Sequence, residues 1–430
     1  MNITSRRLYF LFIVILFLII TYLIILFASG WRFDYETNNF VKVGSLIIET
    51  EPSNANIVID GSQLEDKTPF RKNNMVPGDY HLIISKDNYY DWTKTVSIKS
   101  AEAEIISGVV LLAKQDSPTL LYPEFKIQSL FISPDKKIFS IYYNNTLEFI
   151  SMDDFTSLVK IKLENKINNV IWSQNSNQII INTDKNEFLL YDIHNASEYI
   201  NIGIKFNLNI KSLFWDSAEE DVIFINADGK FYRINTFQQT KNEIFSHDDV
   251  IYVYNNGIYF ISGDGSISIL NADGDIINTL PDINADDIIF FQYKGKYLPF
   301  STINSDVLYL YDTKQNTFNI INDHLTNLNW SANGEKILFN NNHEIFIYDI
   351  NTSEKNLVVR TSTEISSVDW LANENYIIYY QNNQIIMTES WNNNANVYKI
   401  TVDDVFQSIS NDNHTKIFLL SNEGLYSLNY

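Results

Sequence analysis

The sequence predicts a mostly β chain carried on one N-terminal membrane-spanning helix, with a small β-sandwich followed by a β-propeller. Three observations predict it. An unbroken apolar run lies near the N-terminus, and short alternating segments separated by turn residues fill positions 44–113. Beyond Pro118 a strand–turn–strand unit recurs about every 40 residues, the period of propeller blades.

The apolar run comes first. Leu8 to Phe27 reads LYFLFIVILFLIITYLIILF without a charge. At 1.5 Å per residue its roughly 20 residues span about 30 Å, the hydrocarbon thickness of a bilayer. Arg6 and Arg7 precede it, whereas Arg32 is soon followed by Asp34 and Glu36. The positive-inside bias therefore places residues 1–7 in the cytoplasm, residues 8–29 in a single-pass helix and the bulk of the chain outside the cytoplasm. Trp31 and Tyr35 suit the outer interface. A cleaved signal peptide is the competing reading, because Ala28-Ser29-Gly30 offers small residues at a cleavage position. The run is longer than the usual apolar core of a signal peptide, about 7–15 residues, which favours an anchor.

Composition narrows the classes of function. The chain has 430 residues, 45% of them hydrophobic and 14% aromatic, ample for folded domains and more than one of them. A formal charge of −21 argues against nucleic acid, whose phosphates need a basic surface, and against electrostatic docking on anionic lipid. With no cysteine there is no disulfide framework, thiolate nucleophile or thiolate metal site.

The first outside segment, 44–113, divides into strands at Ser45 to Thr50, Ile57 to Asp60, Tyr80 to Ser85, Asp91 to Ile98 and Glu104 to Leu112. Turns are signalled by Pro52-Ser53-Asn54, Asp60-Gly61 and Pro77-Gly78. These residues resemble the PEGA domain. The resemblance rests on Pro52 and Ala55, Asp60-Gly61, Thr68-Pro69, Pro77-Gly78-Asp79-Tyr80, and Asn88-Tyr89 with Trp92. Two glycines of that pattern are replaced by Asn54 and Asn88, the residue type that best tolerates left-handed backbone in place of glycine. The resemblance implies a bacterial cell-surface or periplasmic, adhesion-like module without catalytic residues.

The repeats occupy 119–430. Their clearest copies are INNVIWSQNSNQIIINTDKNEFLLYDI, LTNLNWSANGEKILFNNNHEIFIYDI and ISSVDWLANENYIIYYQNNQIIMTES. Trp172, Trp215, Trp330 and Trp370 share one register, with Ile132, Phe290-Phe291 and Ile409 in similar places. Tyr191-Asp192, Tyr311-Asp312 and Tyr348-Asp349 share another. Units begin near Gln128, Asn168, Lys211, Asp249, Asp287, Thr326, Ser366 and Val405, which predicts eight blades, with seven the alternative. The last unit holds three strands, so a strand at Thr119 to Tyr122 is expected to complete it and remove an exposed edge. The units resemble the TolB-type propeller repeat, through Phe131-Ile132-Ser133-Pro134-Asp135 and Trp330-Ser331-Ala332-Asn333-Gly334. That turn is weak in units three to five.

Chemistry is sparse. His81, His194, His247, His324, His343 and His414 make no metal-ligand spacing, and there is no G-x-S-x-G elbow or phosphate loop. Asp228-Gly229 and Asp273-Gly274 read as tight hairpin turns rather than calcium loops. One polar column stands just before the innermost strand of each unit: Ser129, Asn169, Ser212, Asp249, Asp287, Asn327 and Ser367, with Asp404 near it in the eighth. Asp249, Asp287 and Asp404 are therefore candidate binding residues at the mouth of the ring. No catalytic residue, metal ligand or cofactor is assigned. The sequence points to a non-enzymatic, membrane-anchored surface protein whose partners are the lipid bilayer, through the helix, and a protein or cell-envelope ligand. An extracytoplasmic enzyme or sensor with a site at the propeller mouth is the alternative.

Overall fold

A computed structural model describes residues 3–35, 38–114, 119–122, 127–217, 219–246, 250–254, 257–261, 266–271, 274–280, 288–291, 295–302, 307–315, 317–322, 325–371, 374–382, 384–390, 395–401, 405–410, 416–421 and 424–429. Helix α1 (Ile3–Ala28) contains the apolar run, and 23 of its residues, Arg6–Ala28, are long and apolar enough to cross a membrane. Its end is closed by Ser29, whose amide and hydroxyl both donate to the Ile25 carbonyl at 2.9 and 2.7 Å. Gly30 then turns the chain with φ +85°.

A two-stranded hairpin follows, β1 (Trp31–Asp34) and β2 (Asn39–Lys42). It has no counterpart among the expected strands, because residues 35–38 carry no Asn-Gly or Asp-Gly pair to signal a turn.

The small domain has seven strands: β3 (Gly44–Glu51), β4 (Asn56–Ile59), β5 (Ser62–Lys67), β6 (Phe70–Met75), β7 (Gly78–Ser85), β8 (Trp92–Ile98) and β9 (Ala103–Val110). They form sheets in the orders β6-β3-β9 and β5-β4-β7-β8, with β3 and β9 parallel. Leu46, Ile48, Ile57, Leu82, Ile84 and Trp92 fill the space between them. The five expected strands are present. The other two, β5 and β6, were illegible because β5 is exposed along almost its whole length and β6 buries only its two ends. Such strands show no apolar alternation. Asn54 and Asn88 stand at φ 65° and 66°, the left-handed backbone for which asparagine can replace glycine.

Beyond the small domain the chain forms eight four-stranded antiparallel sheets among the described residues. Seven are built from consecutive segments, 129–162, 167–201, 210–245, 250–280, 288–322, 327–360 and 368–401. The eighth joins 405–429 to β10 (Thr119–Tyr122), which pairs antiparallel with the strand Gly424–Asn429, Thr119 facing Ser427. First strands of neighbouring sheets approach one another, as in sheets three and four or six and seven, while fourth strands such as Glu354–Arg360 lie largely exposed. Apolar side chains pack between successive sheets rather than into one central core.

Two of the recurrent tryptophans tie sheet to sheet by hydrogen bonds. Trp215 donates its indole N–H to the Ile171 carbonyl of the preceding sheet at 3.2 Å, and Trp370 does the same to Asn329 at 3.3 Å. The serine of each good turn copy closes that turn locally. Ser133, Ser173 and Ser331 each donate to the Asp or Asn two residues on, at 2.6, 2.8 and 2.8 Å. Each also accepts from the amide five residues on, at 3.0, 2.9 and 2.9 Å. In unit three Asp216 takes the serine's place and accepts from the Glu219 amide at 3.3 Å, so the turn survives where its sequence pattern fades.

Candidate functional site

Two neighbouring features on the seventh sheet concentrate buried polar chemistry. The first is the junction with the small domain. On β8 the alternation of a strand puts Trp92 and Lys94 on one face. Both reach Glu389, which is 0% exposed at the end of the strand Gln384–Glu389. Trp92 Nε1 donates to Glu389 Oε1 at 2.7 Å, and Lys94 Nζ lies 2.9 Å from Oε2. The Asn396 amide also donates to Oε2 at 2.9 Å. The carboxylate thus has three donors, the condition under which a buried charge is tolerated.

Further bonds surround it. Thr93 N–H donates to Asn396 Oδ1 at 3.2 Å, and Asn375 Nδ2 donates to the Gly108 carbonyl at 2.8 Å. Tyr398 donates to the Asp91 carbonyl at 3.3 Å. Burial, and then the charge of Glu389, push the Tyr398 hydroxyl far above the ordinary phenol range, so it stays a donor. Leu112, just past β9, is fully buried among Leu371, Tyr376 and Leu419 of the seventh and eighth sheets. The junction is therefore an apolar plug ringed by hydrogen bonds.

The second feature is a cleft of about 900 Å³ between the outer strand Glu354–Arg360 of the sixth sheet and the seventh sheet. Trp370 and Tyr379, both buried, form part of its lining, together with Leu357, Val359 and Val397. Asp349 and Arg360 line it too, and both are committed to structure. Arg360 Nε donates to Glu344 Oε1 at 2.6 Å, and Asp349 Oδ1 accepts from the amides of Asn351 and Thr352 at 2.9 and 3.0 Å. Hydrogen bonds from Asn341 and Arg360 hold the Glu344 carboxyl below its ordinary range. These groups stabilise charges already present. The lining as a whole is mixed, with Lys336, Glu354, Glu374 and Asn375 beside the apolar side chains.

The three candidate acids, Asp249, Asp287 and Asp404, lie outside the described residues, as do His247, His324 and His414. Five other members of the polar column are described. Ser129, Asn169, Ser212 and Asn327 face Tyr142, Asn182, Asn226 and Asn340 across the first strand pair of their sheets, so the column is a true register. The column and the residues facing it bond both side chains and backbone. Asn327 Nδ2 donates to the Ser366 carbonyl of the next sheet at 3.3 Å, and Asn226 Nδ2 donates to Ser212 Oγ at 2.6 Å and to the Val250 carbonyl at 2.8 Å. Asp228 and Gly229 have φ 53° and 73°, as a tight hairpin turn requires. No group of three or more His, Asp or Glu suited to a metal occurs among the described residues.

Glu389 and Lys94 were not singled out from sequence, yet one signal was visible. Glu389 occupies the position held by Asp192, Asp312 and Asp349 in other units. Those aspartates cap their own following turns, at 2.8, 2.9 and 2.9 Å. A glutamate is one methylene longer, and here it reaches the neighbouring domain.

Residues 43–108 match the PEGA domain family. No curated protein matches the chain. Among solved structures, the C-terminal WD40 domain of Sif2 is similar with TM-score 0.52 and 13% identity, over 73% of this chain and 98% of that one. The eukaryotic initiation factor gives TM-score 0.49 and 10% identity over 74% and 93%, and Kluyveromyces lactis Hsv2 gives 0.44 and 9% over 65% and 100%. The first likeness supports a propeller fold and nothing finer.

Proposed function

We propose that this chain is a non-enzymatic scaffold of the cell surface, held by α1 as an uncleaved anchor, whose propeller of TolB-type repeats binds a protein or cell-envelope ligand. The observation that carries this reading is the cleft beside the small-domain junction. Its walls are mixed, with Leu357, Val359 and Val397 set among charged and polar residues such as Lys336, Glu354 and Glu374. Its Asp349 and Arg360 are held by bonds within the sixth sheet, and it adjoins a buried three-donor carboxylate that fastens the PEGA-matching module to the propeller. Extended segments bind at an exposed strand edge through main-chain hydrogen bonds, with alternate side chains laid into the space beside it. The Glu354–Arg360 strand supplies that edge.

A photo-crosslinking residue at Leu357, placed in the full chain in its own cells, tests this. A discrete adduct that is missing when the same residue replaces Phe237, exposed on the third sheet, supports the cleft. Equal labelling from both positions overturns it. The alternative, an enzyme or sensor acting at the mouth, predicts instead that ligand contact follows Asp249, Asp287 and Asp404.

A further inference from the structure

We infer that the hairpin β1–β2 seats an aromatic face in the headgroup layer of the bilayer that α1 crosses, so that the small domain stands on the membrane instead of swinging from it. The inference rests on α1 being a retained anchor. Strand alternation and pairing define the face: Trp31 lies opposite Lys42 and Phe33 opposite Phe40, all four on one side. Phe33 packs edge-on against Phe40 and against Tyr35, at ring separations of 5.2 and 5.3 Å. Trp31, Phe33, Phe40 and Tyr35 are nevertheless between 37% and 88% exposed. The other side is partly covered, since Asp34 is buried and Arg32 and Val41 are half-buried, while Asn39 at its edge is exposed. A lone two-stranded hairpin is marginal in water, and one that shows four aromatic rings gains by covering them.

Position selects the cover. Arg32 Nη1 donates to the Phe27 carbonyl at 2.7 Å and its guanidinium sits 3.6 Å over the Phe27 ring, which fixes β1 to the last turn of α1. The Val43 amide closes the hairpin's open end, beside α1, onto the Gly30 carbonyl at 2.9 Å. A four-residue strand extends about 13 Å, so the hairpin remains within a short reach of the hydrocarbon edge. Trp and Tyr rings favour that interface, and Lys42 on the same face can extend its ammonium to lipid phosphate. Burial of rings needs no anionic lipid, in keeping with a chain of net charge −21. Arg32 Nη2 also donates to Asn74 Oδ1 of β6 at 3.2 Å, joining helix, hairpin and small domain at one guanidinium.

The absence of cysteine allows a unique spin label at Phe40→Cys, with Tyr35→Cys as the second position and Phe237→Cys as the water reference. The full chain is placed in phosphatidylcholine vesicles, flotation is checked, and power saturation compares collision with oxygen and with a nickel chelate. The expected result is an oxygen-to-nickel ratio several-fold higher at 40 and 35 than at 237. Floating vesicles in which positions 40 and 35 match 237 overturn the hairpin inference while sparing the anchor. Shielding of both labels from both reagents also overturns it, in favour of a protein cover or a second copy. Failure to float removes the anchor and the inference together.

Discussion

Trp92 and Glu389 meet across two domains, the indole N–H of the small domain donating to a fully buried carboxylate of the propeller at 2.7 Å. The carboxylate would be untenable alone, and Lys94 neutralises it from the same strand as the tryptophan. Removing either donor tests whether the two domains behave as one body. Trp92→Phe keeps an aromatic side chain but loses the pyrrole ring with its N–H, which deletes one bond to a charge and leaves a small cavity, with an expected loss of at least about 1.5–3 kcal/mol. Lys94→Met leaves the charge uncompensated and is expected to cost about 3–5 kcal/mol. Hydrogen exchange should rise first at 108–112, 389–390 and 395–398, and uniform loss across all sheets would mean that the contact is not what joins the domains.

The ring closure gives a second expectation. Leu121 on β10 packs against the core of the first and last sheets, among Phe139, Phe418 and Leu425. Leu121→Asp places a charge there and should open the final sheet, with aggregation through the bared edge of the strand Gly424–Asn429. Light scattering at moderate temperature reads this. A variant as monodisperse as the parent would show that β10 is dispensable.

A third expectation concerns pH. Burial acts to raise the Glu148 carboxyl. Hydrogen bonds from Ser157, Tyr143 and Lys160 outweigh it and hold the group below its ordinary range. Burial and the bond to Glu148 push the Tyr143 hydroxyl up to about 12. A carboxylate with a lowered folded pKa stabilises the fold at all pH values above its unfolded pKa, about 4.3, and loses that contribution as pH falls through the folded value. The melting difference between parent and Glu148→Gln should therefore be flat from pH 8 to 5 and shrink below about pH 4.3. A difference unchanged at pH 3 would contradict it.

The three acids that the sequence assigns to the mouth supply a fourth. If Asp249, Asp287 and Asp404 gather around a cation, calcium at ten times its Kd adds about 1.4 kcal/mol and raises the melting temperature by a few degrees. Asp249→Asn with Asp287→Asn should abolish the rise. No shift in the parent chain leaves the mouth as solvent-lined structure.

Much of the fold was legible because strands write their burial into alternation, and tight turns write theirs into Asp-Gly and Asn. The tryptophan register was visible in sequence, but what Trp215 and Trp370 do in it, each indole reaching a carbonyl of the preceding sheet, needed coordinates. Strand β5 was hidden because it buries almost nothing. The junction was hidden for a different reason: Trp92 and Glu389 are joined only through the packing of two domains, and no local period relates them. Glu389 in an aspartate's place was the one trace.

The pairing of Thr119–Tyr122 with Gly424–Asn429 has a consequence for biogenesis. A chain made from its N-terminus presents β10 long before its partner strand. Sheets one to seven can assemble as they emerge, but the ring stays unlatched until Gly424–Asn429 has been made. A product stalled or clipped before that strand therefore carries an open edge that chaperones and proteases can recognise, and the arrival of that strand becomes the event that hides it.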